Sequence, residues 1–497
     1  MMEEKQDLKR GWILAALMLT MTLAAMDITI VSTVIPQIVS DLGGFNKFTW
    51  VFSIYLLAQT VTIPLYGKLS DLYGRKRILI FGIIVFLIGS ATSAAAWNIT
   101  ALIAFRGIQG LGAGSIMATV NTIAGDIYSV KERARIQGYL SSIWGISAIL
   151  GPALGGALAE YVNWRWIFII NLPFGALAIV FLVLFLKEKI EKHKTKVDVK
   201  GAVLILITLS AFLIFLLEGG QNWPWFSWQN LFFLLAIILL AIWTYKVEKN
   251  TSNAIMPLSL WKNKTLAYTS LGMAGMGIVM MGPETFLPTF TQASLGLGVI
   301  ASGFVLASMS IGWPTASSLS GRLYLRIGFR ETSLIGAFVV FLSCVGFLLI
   351  PRPQPIYLLV INQITLGAGF GLLSTPSLVG PQSMVPWRQR GMVTSGIVFS
   401  RNLGQSIGTA IFGAVFNNSL NRQIKDFSGD TSFSTHNIMQ ILQNPEIPGA
   451  TKEFLRSAIN SSMRNIYVAL VLFAVCTFFF IYKVPHRDPK DSSHLDI

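Results

Sequence analysis

The chain is short of charge and almost free of cysteine. Only 12% of its 497 residues are Asp, Glu, Lys or Arg, about half the load of a soluble domain. Its two cysteines, Cys344 and Cys476, both lie inside apolar runs, which argues against a disulfide framework or a metal cluster. The four histidines, His193, His436, His486 and His494, fall in polar loops or the tail, so no His-based catalytic constellation is available. The segment GxxxxGK followed by Ser or Thr does not occur, which removes the phosphate-cradling loop of ATP-driven machines. An enzyme is not expected, and neither is a cofactor or a bound metal.

Apolar sequence is what the chain has in quantity: 53% of residues are hydrophobic and the mean hydropathy is +0.62. Apolar runs of about 20 residues span a bilayer core. Such runs, read between charged or Pro/Gly-rich breaks, are expected at 11–36, 49–66, 78–97, 101–124, 136–159, 165–186, 201–219, 230–247, 265–290, 300–320, 333–350, 357–380, 391–417 and 465–483. The expected class is an all-α polytopic membrane protein with fourteen transmembrane helices. The first run has the basic flank of a signal peptide. It is too long, carries Asp27 and lacks a clear small-residue cleavage site, so it reads as a retained helix.

Net charge is +15, and its placement carries the meaning. With fourteen crossings, 28 of the 38 Lys and Arg fall in compartments on the side of both termini and 8 on the other side, five of those in 418–464. Short cytoplasmic loops retain Lys and Arg, so both termini are expected in the cytoplasm and the chain in the cytoplasmic membrane. The basic excess is topology rather than a nucleic-acid footprint.

The sequence also repeats. "GKLSDLYGRK" (67–76) is echoed by "GRLYLRIGFR" (321–330), "GAG" at 112–114 by "GAG" at 367–369, and Arg133/Arg135 by Arg388/Arg390, at offsets of 254 or 255. One offset shared by three matches argues for a duplicated helical unit, a common way to build transporters. The offset spans eight helices. The expected organisation is therefore a six-helix bundle at 11–186, a basic linker at 187–200, two inserted helices at 201–264, a second six-helix bundle at 265–483 containing an external loop at 418–464, and a tail at 484–497.

"GKLSDLYGRKR" resembles, at nearly every position, the loop 2–3 signature of the major facilitator superfamily. "RGIQGLGAG" (106–114) is similar to the family's helix-4 signature, and "GPALGG" (151–156) to the helix-5 signature associated with exporters. "LAAMDITIVSTVIP" (24–36) and "WRWIFIINLPFG" (164–175) resemble segments typical of the fourteen-helix drug/proton antiporters. The departures are Ser32 where Asn is usual, Ser147 where Gly usually precedes the GP pair by four, and Leu325 in the second-half loop at the position of Asp71. The last implies that the two halves are not gated symmetrically.

The resemblance implies that Asp71 faces a helix N-terminus in the opposite half, where the dipole favours a carboxylate. It also implies that Arg75 pairs with Asp126. With Gly67 for close helix approach and Gly74 for a tight turn, these residues form an expected cytoplasmic gate. A positive-inside anchor would account for Lys76 and Arg77 alone. Gly151, Pro152, Gly155 and Gly156 form an expected helix-bending element, since proline frees a backbone carbonyl.

Ionisable groups at membrane depth are costly and each is a functional hypothesis. Asp27 lies about 24 Å into helix 1 at 1.5 Å per residue, at a depth comparable to Arg106. The two can pair until a proton or cation competes, or can form a static structural ion pair. Glu284 in helix 9 could carry a proton or simply lie near outer water. Asp27, Arg106 and Glu284 are the expected coupling and cavity residues, with Gln109, Met117, Asn121, Met280 and Arg401 as further cavity candidates. Met273, Met276, Met280 and Met281 suit adaptable binding surfaces, but a methionine stripe in a membrane helix more often faces lipid or fills packing. Residues 450–463 have helical apolar spacing and could lie on the membrane, lid the outer mouth, or belong to an ordinary connector.

The expected function is proton-coupled efflux of hydrophobic, cationic drugs by alternating access, from a monomer whose partners are the lipid bilayer, drug substrates and protons. The alternative is a proton-coupled exporter of a lipid, fatty acid or other amphipathic metabolite.

Overall fold

The structure, a computed structural model, describes residues 2–42, 48–188, 198–218, 227–251, 262–297, 299–351, 355–425 and 448–486. Among them the regular structure is helical: α1 (Met2–Leu42), α2 (Phe48–Tyr73), α3 (Arg75–Ala94), α4 (Ile99–Ile127), α5 (Val130–Tyr161), α6 (Trp166–Ile169), α7 (Asn171–Phe185), α8 (Val199–Glu218), α9 (Trp228–Asn250), α10 (Lys264–Leu295), α11 (Val299–Ala307), α12 (Met309–Ile327), α13 (Phe329–Leu349), α14 (Ile356–Ser383), α15 (Trp387–Lys425) and α16 (Gly449–Tyr482). Eleven spans are long and apolar enough to cross a membrane, α6 and α7 together forming one of them. By this measure the count is eleven, not fourteen. α8 is apolar but short, α12 carries Arg322 and Arg326, and α15 carries Arg388, Arg390, Arg401 and Arg422.

Local chemistry sets the helix ends. Asn98 caps α4, accepting from the Ala101 N–H at 2.8 Å. Ser129 and Glu132 form a capping box at the start of α5. Gly74 and Gly328, with φ of 95° and 99°, hold the sharp turns into α3 and α13 that an L side chain would resist.

The neighbour pattern recurs along the chain. α4 packs on α2 and α3 as α14 packs on α12 and α13, and α1 packs on α5 and α7 as α10 packs on α15 and α16. The seams joining the two sets are α2 against α15 and α5 against α12. Small residues allow these approaches: Gly112 abuts the backbone of Phe86, Gly369 that of Val340, and Gly404 the Ala274 carbonyl. A Cβ at Gly404 has no room, because the atom it meets is backbone. Gly404→Val is expected to destabilise the protein by about 1–3 kcal/mol through overpacking, read as a lowered melting temperature of the detergent-purified protein.

α8 lies on the α2–α15 seam, where Leu213 packs with Leu57 and Val61 of α2 and with Leu403 of α15. α9 is joined to α8, with Thr208 and Thr244 hydroxyls 2.8 Å apart.

Residues 450–463 are neither a separate surface helix nor a connector. They form the first part of α16, with Leu455, Ala458, Ile459 and Met463 buried. Their apolar stripe faces protein, and Asn460 takes a 2.8 Å hydrogen bond from the Ser294 hydroxyl of α10. α15 likewise continues to Lys425. The central part of the expected loop, 426–447, lies outside the described residues, as do 189–197 of the linker and 487–497 of the tail.

Candidate functional site

The basic turn between α2 and α3 meets the other half of the molecule directly. Asp71 accepts the Gly391 and Met392 N–H groups at 3.0 and 2.9 Å, in the first turns of α15. Arg75 is almost wholly buried and makes an ion pair with Asp71 at 2.7 Å and with Asp126 at 3.0 Å. It also donates to the Trp387 carbonyl at 2.5 Å and lies 3.5 Å from the centroid of the Trp387 ring. Arg390 completes the set, 3.3 Å from Asp126. Gly67 sits against Gly391 and Ser395, where any side chain would clash. The contacts implied for Asp71, Gly67, Gly74, Arg75 and Asp126 are thus present. Trp387 and Arg390 join them from a segment far away in sequence.

The second-half turn has no acid, and a different group reaches across. The Tyr324 hydroxyl on α12 donates to the Val130 carbonyl at the start of α5. The tie on this seam is a neutral phenol, in place of an ion pair.

Asp27 and Arg106 form an ion pair with both side chains fully excluded from solvent. Asp27 also accepts from Gln109 Nε2 at 2.8 Å, and Gln109 Oε1 accepts from Arg106 at 2.7 Å. Asn171 donates to Ser90 Oγ at 3.0 Å and reaches Asp27 at 3.5 Å. The Arg106 guanidinium lies 4.3 Å from the Tyr55 ring centroid. Both Asp27 oxygens are engaged, while Arg106 Nη2 is buried without a hydrogen-bond partner among the described residues. Met117 belongs to the same buried core. Asn121 is buried where α4 meets α14, its carbonyl accepting from Gln382 Nε2 at 3.2 Å.

Glu284 differs. It lies within α10, partly accessible, with no hydrogen bond and no ion pair within 4.0 Å among the described residues. One turn before it, Met280 takes a 3.4 Å contact from Gln405 Nε2 of α15. Arg401 of α15 is the basic group whose charge bears on Glu284, and among the described residues its Nε has no hydrogen-bond partner. Carboxylate and guanidinium are near enough to influence each other yet form no ion pair within 4.0 Å.

In the exporter-like segment, Gly151 lies against Thr29 of α1, whose hydroxyl also donates to the Ser147 carbonyl at 2.9 Å. α5 runs through position 152 as continuous helix, Gly155 is buried, and Gly156 faces open space. At the other end of the molecule, Asp41 accepts from Trp164 Nε1 at 2.9 Å and Arg165 at 2.8 Å. The indole N–H and the guanidinium hold its carboxyl below the usual range. Among the described residues no cluster of His, Cys, Asp and Glu could hold a metal ion.

Mirrored helix sets meeting at two seams, with a charged clasp at one end, define a helical membrane transporter. The family model described as Major Facilitator Superfamily matches residues 17–409, and the chain belongs to that family, whose members are transporters and not enzymes. It is 33% identical over 491 residues to Multidrug resistance protein 3 of Bacillus subtilis, covering 94% of each chain. It is 32% identical over 517 residues to the Multidrug transporter protein MdtP of the same organism, covering 98% of this chain and 95% of the relative. In fold it is similar to the human organic anion transporter MFSD10, with a TM-score of 0.64, 15% identity, and 95% and 99% of the two chains covered.

Proposed function

We propose that the protein is a proton-coupled multidrug efflux transporter that exports hydrophobic, chiefly cationic compounds by alternating access. The observation that carries this reading is Glu284: an acid inside a spanning helix, without a hydrogen bond or close ion pair among the described residues, one turn after Met280, which Gln405 contacts. A carboxylate so placed is expensive unless it serves a proton or ion pathway. A proton and an organic cation would compete for it, so downhill protons expel cargo. Asp27 and Arg106 would communicate with that site through helix packing. The proton gradient is the energy source, no cofactor takes part, and one chain is the working unit. The multidrug relatives support the cargo class.

Fourteen crossings fit this reading if α6–α7 and α11–α12 each count as one, leaving two sets of six with α8 and α9 between them. The basic excess supports a cell-membrane protein with both termini in the cytoplasm. The Asp71–Arg75 clasp then shuts the cytoplasmic side, making this an outward-facing conformation that reverses when the clasp opens.

The test is ethidium transport in everted membrane vesicles under an imposed proton gradient. Glu284→Gln is expected to reduce gradient-driven transport to the leak level while ethidium counterflow, which needs no proton, continues. Wild-type gradient dependence in Glu284→Gln would overturn the coupling assignment. Translocation of labelled lipid or fatty acid without any ethidium transport would put the amphipathic-metabolite reading in its place.

A further inference from the structure

The repeat leaves one corner of the molecule unequal. α3 and α13 both start from a glycine at positive φ, and the first N–H groups of each need acceptors from outside the helix. At α3 the chain supplies one. Glu188, three residues past the end of α7, accepts from the N–H groups of Arg75 at 2.8 Å and Lys76 at 3.0 Å. Trp12 closes the same corner by stacking on Phe185 with ring centroids 5.5 Å apart.

At α13 no side chain among the described residues accepts from the first N–H groups of the helix. Three residues past the end of α16 stands Pro485, which has no polar side chain. A small cleft with a cavity volume of about 40 Å³ opens there, bordered by Thr265, Thr269, Arg330, Ser333, Ser377 and Pro485. Thr265 and Thr269 are only 6% and 3% exposed, and among the described residues neither hydroxyl has a hydrogen-bond partner. Arg330 gives Nη1 to Glu331 at 3.1 Å and Nη2 to the Tyr482 carbonyl at 2.9 Å, leaving Nε unpartnered. Glu331 is held by Arg330 and by His486 at 2.6 Å, and it does not cap the helix as Glu188 does. The rest of the wall, including Phe329, Ile481 and Val484, is apolar.

We infer that this cleft binds an oxyanion, a carboxylate or phosphate carried on an apolar body, which takes the place that Glu188 fills in the other half. The helix N-terminus offers N–H donors and a favourable dipole, the two threonines offer hydroxyl donors, and Arg330 supplies charge. The site is separate from Glu284 and does not depend on the transport reading. The oxyanion could come from a phospholipid of the surrounding bilayer or from solution, and the two sources are distinguished by the probe.

The test is native mass spectrometry of the delipidated full chain with inorganic phosphate, dioleoyl-phosphatidylglycerol, and dioleoylglycerol as the lipid lacking an oxyanion. Saturable binding of phosphatidylglycerol is expected if the bilayer is the source, and of phosphate alone if solution is. Dioleoylglycerol should bind about tenfold more weakly than the preferred probe, the value of one charged hydrogen-bonded contact. Pro485→Glu gives α13 a carboxylate of its own and should weaken binding about tenfold without lowering the melting temperature; Thr269→Val should weaken it by a smaller factor. Unchanged binding in Pro485→Glu, equal binding of dioleoylglycerol, or no saturable binding of phosphate or phosphatidylglycerol would overturn the inference.

Discussion

Asp27→Asn is expected to destabilise the protein by about 3–5 kcal/mol, because it leaves Arg106 charged in a place that water does not reach. Both side chains are fully excluded from solvent, and the remaining support for Arg106 is neutral: Gln109, the Val51 carbonyl at 3.3 Å and the face of Tyr55. Breaking a buried pair costs more than replacing it, so Asp27→Asn combined with Arg106→Gln should recover much of the loss. Thermal unfolding of the purified single and double variants checks this. A stable Asp27→Asn protein that has nevertheless lost its response to a proton gradient would move Asp27 from the architecture of the bundle to the coupling step.

Asp71→Asn should shift the conformational balance instead. The carboxylate makes two hydrogen bonds to backbone N–H groups near the start of α15 and an ion pair with Arg75. A hydrogen bond to a charged group contributes about 1.5–3 kcal/mol, so the variant is expected to favour the state with this end open by roughly tenfold to a hundredfold. Spin labels at the exposed positions Tyr73 and Gln389 should report a second, longer distance in Asp71→Asn that is rare in the wild type. The same short distance at the same population in both would mean that Asp71 does not hold this end closed. Tyr324→Phe, which removes the neutral tie on the other seam, should have the smaller effect, since it lacks charge.

How much of this could be read in the sequence depends on whether the chemistry is local. Gly67, Asp71, Gly74 and Arg75 lie within nine residues, and their spacing together with the family resemblance places them correctly against Asp126 and the start of a distant helix. Trp387 and Arg390 escape such a reading, because nothing in their own neighbourhood reveals which helix end they will meet. Asp27 and Arg106 stand out as charges in apolar runs, whereas Asn171 and Ser90, which bond each other and reach Asp27, are ordinary polar residues in sequence. Glu284 is visible for the same reason as Asp27, but the gap between it and Arg401 is a fact of packing. Hydropathy also misplaces boundaries where a helix is half polar. The opening of α16, with Lys452, Glu453 and Arg456, looks like loop until Leu455, Ile459 and Met463 are seen to share one buried side.

The position of α8 bears on how cargo could arrive. Because it lies across the α2–α15 groove while the α5–α12 groove has no such helix among the described residues, the transporter has one shuttered flank and one bare flank. A greasy solute travelling within a leaflet would meet an obstacle on the first and an unguarded crevice on the second. Traffic from the lipid is therefore expected to be one-sided in a molecule whose two halves are otherwise near copies.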